Sequence, residues 1–123
     1  MAVRVLIADD SMTVAEMLSE LVSAPGRSEV VGTSDTQAGT VEAIRRLHPD
    51  VVILDLQLKA GSGADVIREV RADPSLASTR LFVASNHVSP QMRAACAELG
   101  ADGYFDKVKE LGELAARVRG LGA

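Results

Sequence analysis

The sequence predicts an α/β protein built as five βα units around one doubly wound parallel sheet. Three observations carry that expectation. Short apolar runs alternate with longer stretches of helical spacing along the whole chain. The first, third and fourth runs are apolar at nearly every position, the pattern of parallel strands covered on both faces. Glycine, proline, serine and aspartate punctuate the joins. Right-handed crossovers then wind such units into an open three-layer sheet.

The elements follow in order. Val3–Ala8 (VRVLIA) is the first strand. Ser11 to Ser23 reads as a helix, with Val14, Met17, Leu18, Leu21 and Val22 on one face, and Pro25-Gly26 ends it. Glu29–Gly32 is a short second strand. Asp35 to His48 is the second helix, with Ala38, Val41, Ile44 and Leu47 inward. Val51–Leu54 (VVIL) is the third strand. Ser62 caps a third helix whose inner face is Val66, Ile67 and Val70, and Asp73-Pro74 stops it. Leu81–Ala84 is the fourth strand. Ser89-Pro90 opens a helix with Met92, Ala95, Cys96 and Leu99 in one stripe, closed by Gly100. Gly103–Phe105 is the fifth strand. Lys109 to Leu121 is the last helix, with Leu111, Leu114, Ala115, Val118 and Leu121 on one side.

Composition narrows the function classes. With 123 residues and 47% apolar content, the chain suits one domain over residues 1–123 with a real core. Only Phe82, Tyr104 and Phe105 are aromatic, so that core is aliphatic. The net charge of −4 and the absence of a basic stripe argue against direct nucleic-acid binding. No run approaches the roughly 20 apolar residues of a membrane span, and the N-terminus is no signal peptide. A single cysteine, Cys96, allows no intrachain disulfide. A cytoplasmic protein is the simplest expectation.

In doubly wound sheets, ligands bind beyond the carboxyl ends of the strands. Here strand 1 ends in Asp9-Asp10, strand 3 in Asp55, strand 4 in Ser85-Asn86 and strand 5 near Asp106-Lys107. Clustered acids at neutral pH need raised pKa values or a cation. An incomplete set of oxygen ligands suits Mg2+. A nearby lysine offsets charge and holds an anion, and a small hydroxyl can donate to a phosphoryl oxygen. These are the parts of a phosphoryl-transfer site. Each signal alone has a plainer reading. Asp9-Asp10 can be a helix-capping signal, Asp55 and Ser85 polar strand ends, and Lys107 a solvated lysine. The constellation is what points to chemistry.

The sequence resembles the receiver domain of two-component response regulators, of the single-domain, chemotaxis-regulator-like kind. LIADDS (Leu6–Ser11), VVILDLQLKAGSG (Val51–Gly63), FVASN (Phe82–Asn86) and GADGYFDK (Gly100–Lys107) carry the likeness, which covers essentially the whole chain. The resemblance implies a flavodoxin-like fold with strand order 2-1-3-4-5. It implies Asp55 as phosphoacceptor, with Mg2+ (or Mn2+) held by Asp9, Asp10, Asp55 and the backbone carbonyl of Gln57. Ser85 matches the hydroxyl that reaches the phosphoryl group, Lys107 the lysine that contacts it, and Tyr104 the aromatic that turns inward on activation. Gln57 and His87 fall at the two positions that tune dephosphorylation in the family. The implied partners are a sensor histidine kinase or histidine phosphotransfer protein and a downstream protein target. Were residue 123 the end of the protein, output would be expected through protein contacts rather than DNA binding; a piece of a longer protein would read the same.

Three positions depart from the family pattern. Val108 stands where most receivers have proline, often cis; without proline a trans bond is expected, since cis would cost about 2.5–4 kcal/mol. Lys59 replaces a common proline, and Asn86 replaces a small residue beside Ser85. The departures at Val108 and Asn86 motivate a rival reading, a docking module that is never phosphorylated. An aspartyl phosphatase would need a second acid two residues after the nucleophile, where Gln57 stands. A flavin or nucleotide binder lacks a glycine-rich loop after strand 1. Cys96 reads as core, His48 as a helix-end residue, and His87 as a surface residue near the site.

Overall fold

The computed structural model describes residues 2–121. Its order is β1 (Val3–Ala8), α1 (Met12–Val22), β2 (Ser28–Ser34), α2 (Gln37–Leu47), β3 (Val51–Leu54), α3 (Gly63–Arg71), β4 (Arg80–Ser85), α4 (Pro90–Leu99), β5 (Gly103–Asp106) and α5 (Leu111–Gly120). A 3-10 turn at Pro74–Leu76 precedes β4. All four strand pairings are parallel, and the sheet order is β2-β1-β3-β4-β5. This is the flavodoxin-like doubly wound arrangement.

Side-chain alternation along the strands divides the core in two. Leu6, Val52, Leu54, Leu81 and Val83 face one side, packed by Val41 and Ile44 of α2, Val66, Ile67 and Val70 of α3, and Cys96 of α4. Val5, Ile7, Val51, Ile53, Phe82 and Ala84 face the other, packed by Ala15, Leu18 and Val22 of α1 and Leu114, Ala115 and Val118 of α5. Phe82 and Phe105 meet edge to face at 5.8 Å on that second side.

The helix starts follow their sequence signals. Ser11, Thr36, Ser62 and Ser89 each accept a backbone N–H of the first turn. Gly100 closes α4 in the left-handed conformation, φ +112°. The expected trans bond at Lys107-Val108 is present, since no peptide bond among the described residues is cis.

Several expectations need correction. In α1 the buried arc is Ala15, Leu18 and Val22, whereas Met17 and Leu21 are 47% and 38% exposed. The apolar stripe is wider than the arc that touches the sheet, and the small Ala15 marks where the helix comes closest. In α2, Ala38 is exposed and Thr40 takes the interior position, its hydroxyl satisfied by Thr36 O and Ser34 Oγ. In α4 only Cys96 of the expected stripe is buried; Leu99 is half-buried, and Met92 and Ala95 face solvent. In α5, Leu111 is half-buried and Leu121 exposed. β2 extends to Ser28–Ser34, because β1 gives it a partner along its whole length, with a register slip between Val5 and Leu6. The 3-10 turn was not foreseen; it seals the core with Leu76, 1% exposed.

Candidate functional site

The strand ends hold their chemistry by main-chain bonds that continue the sheet. Asp9 N–H donates to Ser34 O at 3.0 Å, Asp55 N–H to Ala8 O at 2.8 Å, and Lys107 N–H to Ser85 O at 3.0 Å. Each residue therefore hangs from the neighbouring strand, and their side chains converge beyond β1, β3 and β5.

Lys107 is the centre of the cluster. Its Nζ donates to Asp9 Oδ2 at 2.5 Å and to Asp55 Oδ2 at 2.8 Å. Asp9 is 1% exposed and Asp55 7%, while Asp10 faces solvent. Asp9 Oδ1 also accepts the Ser11 N–H at 2.9 Å, and Asp55 Oδ1 accepts the Gln57 N–H at 3.2 Å. Burial pushes the Asp9 carboxyl above its ordinary value, against the lowering effects of Lys107 and the Ser11 amide. Burial works to lower Lys107, but its hydrogen bonds to Asp55 and Asp9 outweigh that and leave it raised, so the ammonium stays charged.

One oxygen from each of Asp9, Asp10 and Asp55 lies within 4.8 Å of the others. Three carboxylates (−3) and one ammonium (+1) leave a formal charge of −2. An oxygen-only set with that charge suits a hard divalent cation such as Mg2+ or Mn2+. The residues present thus fit the metal that the resemblance implies.

Ser85 is the last residue of β4 and 2% exposed. Its Oγ accepts the His87 N–H at 3.1 Å, which leaves the hydroxyl hydrogen free to donate elsewhere. Asn86 and His87 are exposed. Tyr104 is 8% exposed, and its hydroxyl donates to the His87 carbonyl, tying β5 to the loop after β4.

Other residues shape the surroundings of this cluster. Arg93 of α4 lies 5.4 Å over the Tyr104 ring and donates to Tyr104 O and Glu110 Oε1, both at 2.7 Å. Glu110 Oε1 also accepts the Asp106 N–H at 3.0 Å. That amide, followed by Arg93, holds the Glu110 carboxyl below its ordinary range. Asp106 Oδ1 accepts the N–H groups of Val108 at 2.7 Å and Lys109 at 3.2 Å. The turn after Lys107 is therefore shaped by an aspartate side chain. Gly63 is packed so closely that a Cβ there would lie 2.2 Å from the Asp55 carbonyl oxygen. Of these, Asp106 stands at a strand end that the sequence marks and Gly63 could be suspected as the start of a helix beside one, whereas Arg93 and Glu110 carry no such signal.

Comparison with known proteins agrees with this geometry. The chain is 39% identical over 116 residues to the DNA-binding response regulator MtrA of Mycobacterium tuberculosis, a match covering 94% of this chain and 49% of MtrA. The chain thus spans about half the length of MtrA and its mycobacterial counterparts. Among solved structures, it resembles the signal receiver domain assigned to the response regulator NarL of Mycobacterium tuberculosis, with a TM-score of 0.85, 30% identity and 97% of each chain covered. A protein assigned as a response regulator in Chloroflexus aurantiacus gives a TM-score of 0.87 at 28% identity, with 98% of each chain covered. The family model for the response regulator receiver domain matches residues 5–119. The chain belongs to the response regulator receiver domain family, whose general role is a phosphorylation switch in two-component signalling.

Proposed function

We propose that Asp55 accepts a phosphoryl group from a phosphohistidine of a sensor kinase or phosphotransfer protein, and that the chain signals through protein contacts. The observation that carries this reading is the buried Lys107 ammonium bridging Asp9 and Asp55 at 2.5 and 2.8 Å. A carboxylate oxygen of Asp55 forms the new P–O bond. The P–N bond to the donor imidazole breaks, and its electron pair stays on the ring nitrogen. Lys107 is placed to transfer one N–H from Asp55 to a phosphoryl oxygen. Ser85 has a hydroxyl hydrogen available for another. Asp9, Asp10, Asp55 and the Gln57 carbonyl would hold Mg2+ or Mn2+, whose charge would offset that of the phosphoryl oxygens.

The signal leaves through Ser85 and Tyr104. A Ser85 hydroxyl drawn toward the phosphoryl group pulls on the His87 amide, and the His87 carbonyl is the partner of the Tyr104 hydroxyl. A local change thereby biases the loop after β4 and the α4 surface. Gln57, Asn86 and His87 are exposed at the mouth of the site, where they would govern the approach of the hydrolytic water. The chain catalyses only its own phosphorylation and dephosphorylation. Gln57 offers no acid for turnover of unrelated phosphomonoesters. We place the exchange in the cytoplasm and without direct nucleic-acid contact, consistent with a net charge of −4. Among the described residues no helix is long and apolar enough to cross a membrane.

Asp55→Asn incubated with Mg2+ and a small phosphodonor tests the assignment. The native chain gains a phosphate labile to alkali and hydroxylamine, as an acyl phosphate is, and the variant does not. A variant that still gains it removes Asp55 from the role. A native chain that gains none supports the docking-module alternative.

A further inference from the structure

Residues 56–62 leave β3 beside Asp55 and return to α3 as a closed hairpin. Gly63 N–H donates to Leu56 O at 3.0 Å, and Gln57 pairs with Ser62 across the hairpin. The hairpin is also gripped from outside by the segment between β2 and α2. Gln37 makes three bonds to this region. Its N–H donates to Ala60 O at 2.8 Å, its Oε1 accepts the Ser62 N–H at 3.1 Å, and its Nε2 donates to Glu69 Oε2 at 3.0 Å. Lys59 N–H donates to Asp35 O at 2.8 Å, a bond that proline at this position could not make.

The Lys59–Asp35 ion pair, 3.1 Å long with side chains 57% and 36% exposed, adds little to this grip. Gln37 adds more, because its amide group both accepts and donates. Gly61 has φ +82°, and a Cβ there would come within 2.3 Å of Gln37 Oε1. The glycine is what lets the glutamine reach Ser62.

Gln57 lies on the same hairpin, one cross-strand pair from the Gln37 bond. Its N–H already holds Asp55 Oδ1 at 3.2 Å, and its carbonyl is the proposed main-chain metal ligand. We infer that Gln37 is a positioning residue for the metal site: by fixing Ser62 it holds the Gln57 carbonyl beside Asp55 and so sets the affinity for Mg2+. The inference rests on the reading of Asp9, Asp10 and Asp55 as Mg2+ ligands. Residues behind the direct ligands of a metal commonly tune affinity in this way.

Calorimetric titration of MgCl2 into the whole chain tests it, with thermal melting in the absence of metal as the control for folding. Gln37→Ala is expected to bind Mg2+ about tenfold more weakly, while its metal-free melting temperature stays close to the native value. Gln37→Glu alone sets a carboxylate against Glu69 and weakens binding as well. The double variant Gln37→Glu/Glu69→Gln exchanges donor and acceptor. Its carboxylate accepts from both the Ser62 N–H and the amide introduced at position 69, so native affinity returns. A residue that only ordered the loop would lower melting temperature without this pattern of loss and rescue. The inference is overturned if all variants bind within twofold of the native chain, or if the double variant binds as weakly as Gln37→Glu. If the native chain itself binds no Mg2+, the metal reading falls and this inference falls with it.

Discussion

The Lys107 ammonium lies 2.8 Å from the Asp55 carboxylate across a separation of 52 residues, with both side chains 9% exposed. A buried ion pair of this kind is sensitive to loss of one partner. Lys107→Met leaves the acids of the cluster without their one cation. It is expected to cost about 1–3 kcal/mol of stability without metal. Added Mg2+ then stabilises the variant more than the native chain. Urea unfolding at several Mg2+ concentrations measures both effects, and an equal Mg2+ response would contradict the shared-charge account.

Asp9 gives the pH dependence of the site. Its carboxyl is raised above its ordinary value, chiefly by burial. The charged form is thus less at home in the folded state than in the unfolded chain. Asp9 contributes stability below its ordinary carboxylate value and loses that contribution as pH rises through the raised value. At neutral pH, Asp9→Asn is therefore expected to stabilise the metal-free protein, and the gain to vanish in acid. The same variant binds Mg2+ more weakly at neutral pH. Unfolding curves across the acid range, paired with a metal titration, decide it.

Gly63→Ala probes the seat of Asp55, the proposed phosphoacceptor. The added Cβ would meet the Asp55 carbonyl oxygen at 2.2 Å, a backbone atom that cannot step aside without moving the strand end. A loss of about 1–3 kcal/mol is expected, together with slower phosphorylation at Asp55. Equal stability in chemical denaturation would show that the loop relaxes freely.

Glu110 holds the β5–α5 junction through the Asp106 amide and Arg93. Its carboxyl is lowered by those partners, the amide first. Its contribution is therefore present above the ordinary glutamate value of 4.5 and fades as pH falls through the lowered one. Glu110→Gln is expected to speed hydrogen exchange at the Asp106 amide near neutrality, with the difference from the native chain shrinking in strong acid.

Tyr104→Phe removes the hydroxyl that reaches the His87 carbonyl. The expected cost is about 1 kcal/mol, with faster exchange confined to residues 86–89 and the ring still buried. Exchange that quickens throughout α4 and β5 would mean the ring itself had lost its seat.

The apolar runs of β1, β3 and β4 made the fold legible, because strands buried on both faces leave no polar alternation to confuse them. The acids and the lysine of the site were legible for a related reason: they stand where those runs stop. Less visible were features set by contact between distant segments. Met17, Leu21 and Met92 have the spacing of an inner face, yet all three are exposed. Gln37, Arg93 and Glu110 carry no periodic signal at all, since each acts through hydrogen bonds to particular partners on other elements rather than through a buried face. Leu76 was hidden behind Asp73-Pro74, which reads as a stop and also starts a 3-10 turn.

The main-chain bonds at Asp9, Asp55 and Lys107 have a mechanical consequence. Each of these residues is clamped to an adjoining strand, so Asp55 and its nearest neighbours form a rigid frame. Any displacement on phosphorylation must be taken up by the arms attached to that frame, the hairpin at residues 56–62 and the loop at 86–89. The switch thus resembles a fixed anvil with two moving levers, and the levers differ: one is braced by Gln37, the other is tied at His87 to the hydroxyls of Ser85 and Tyr104.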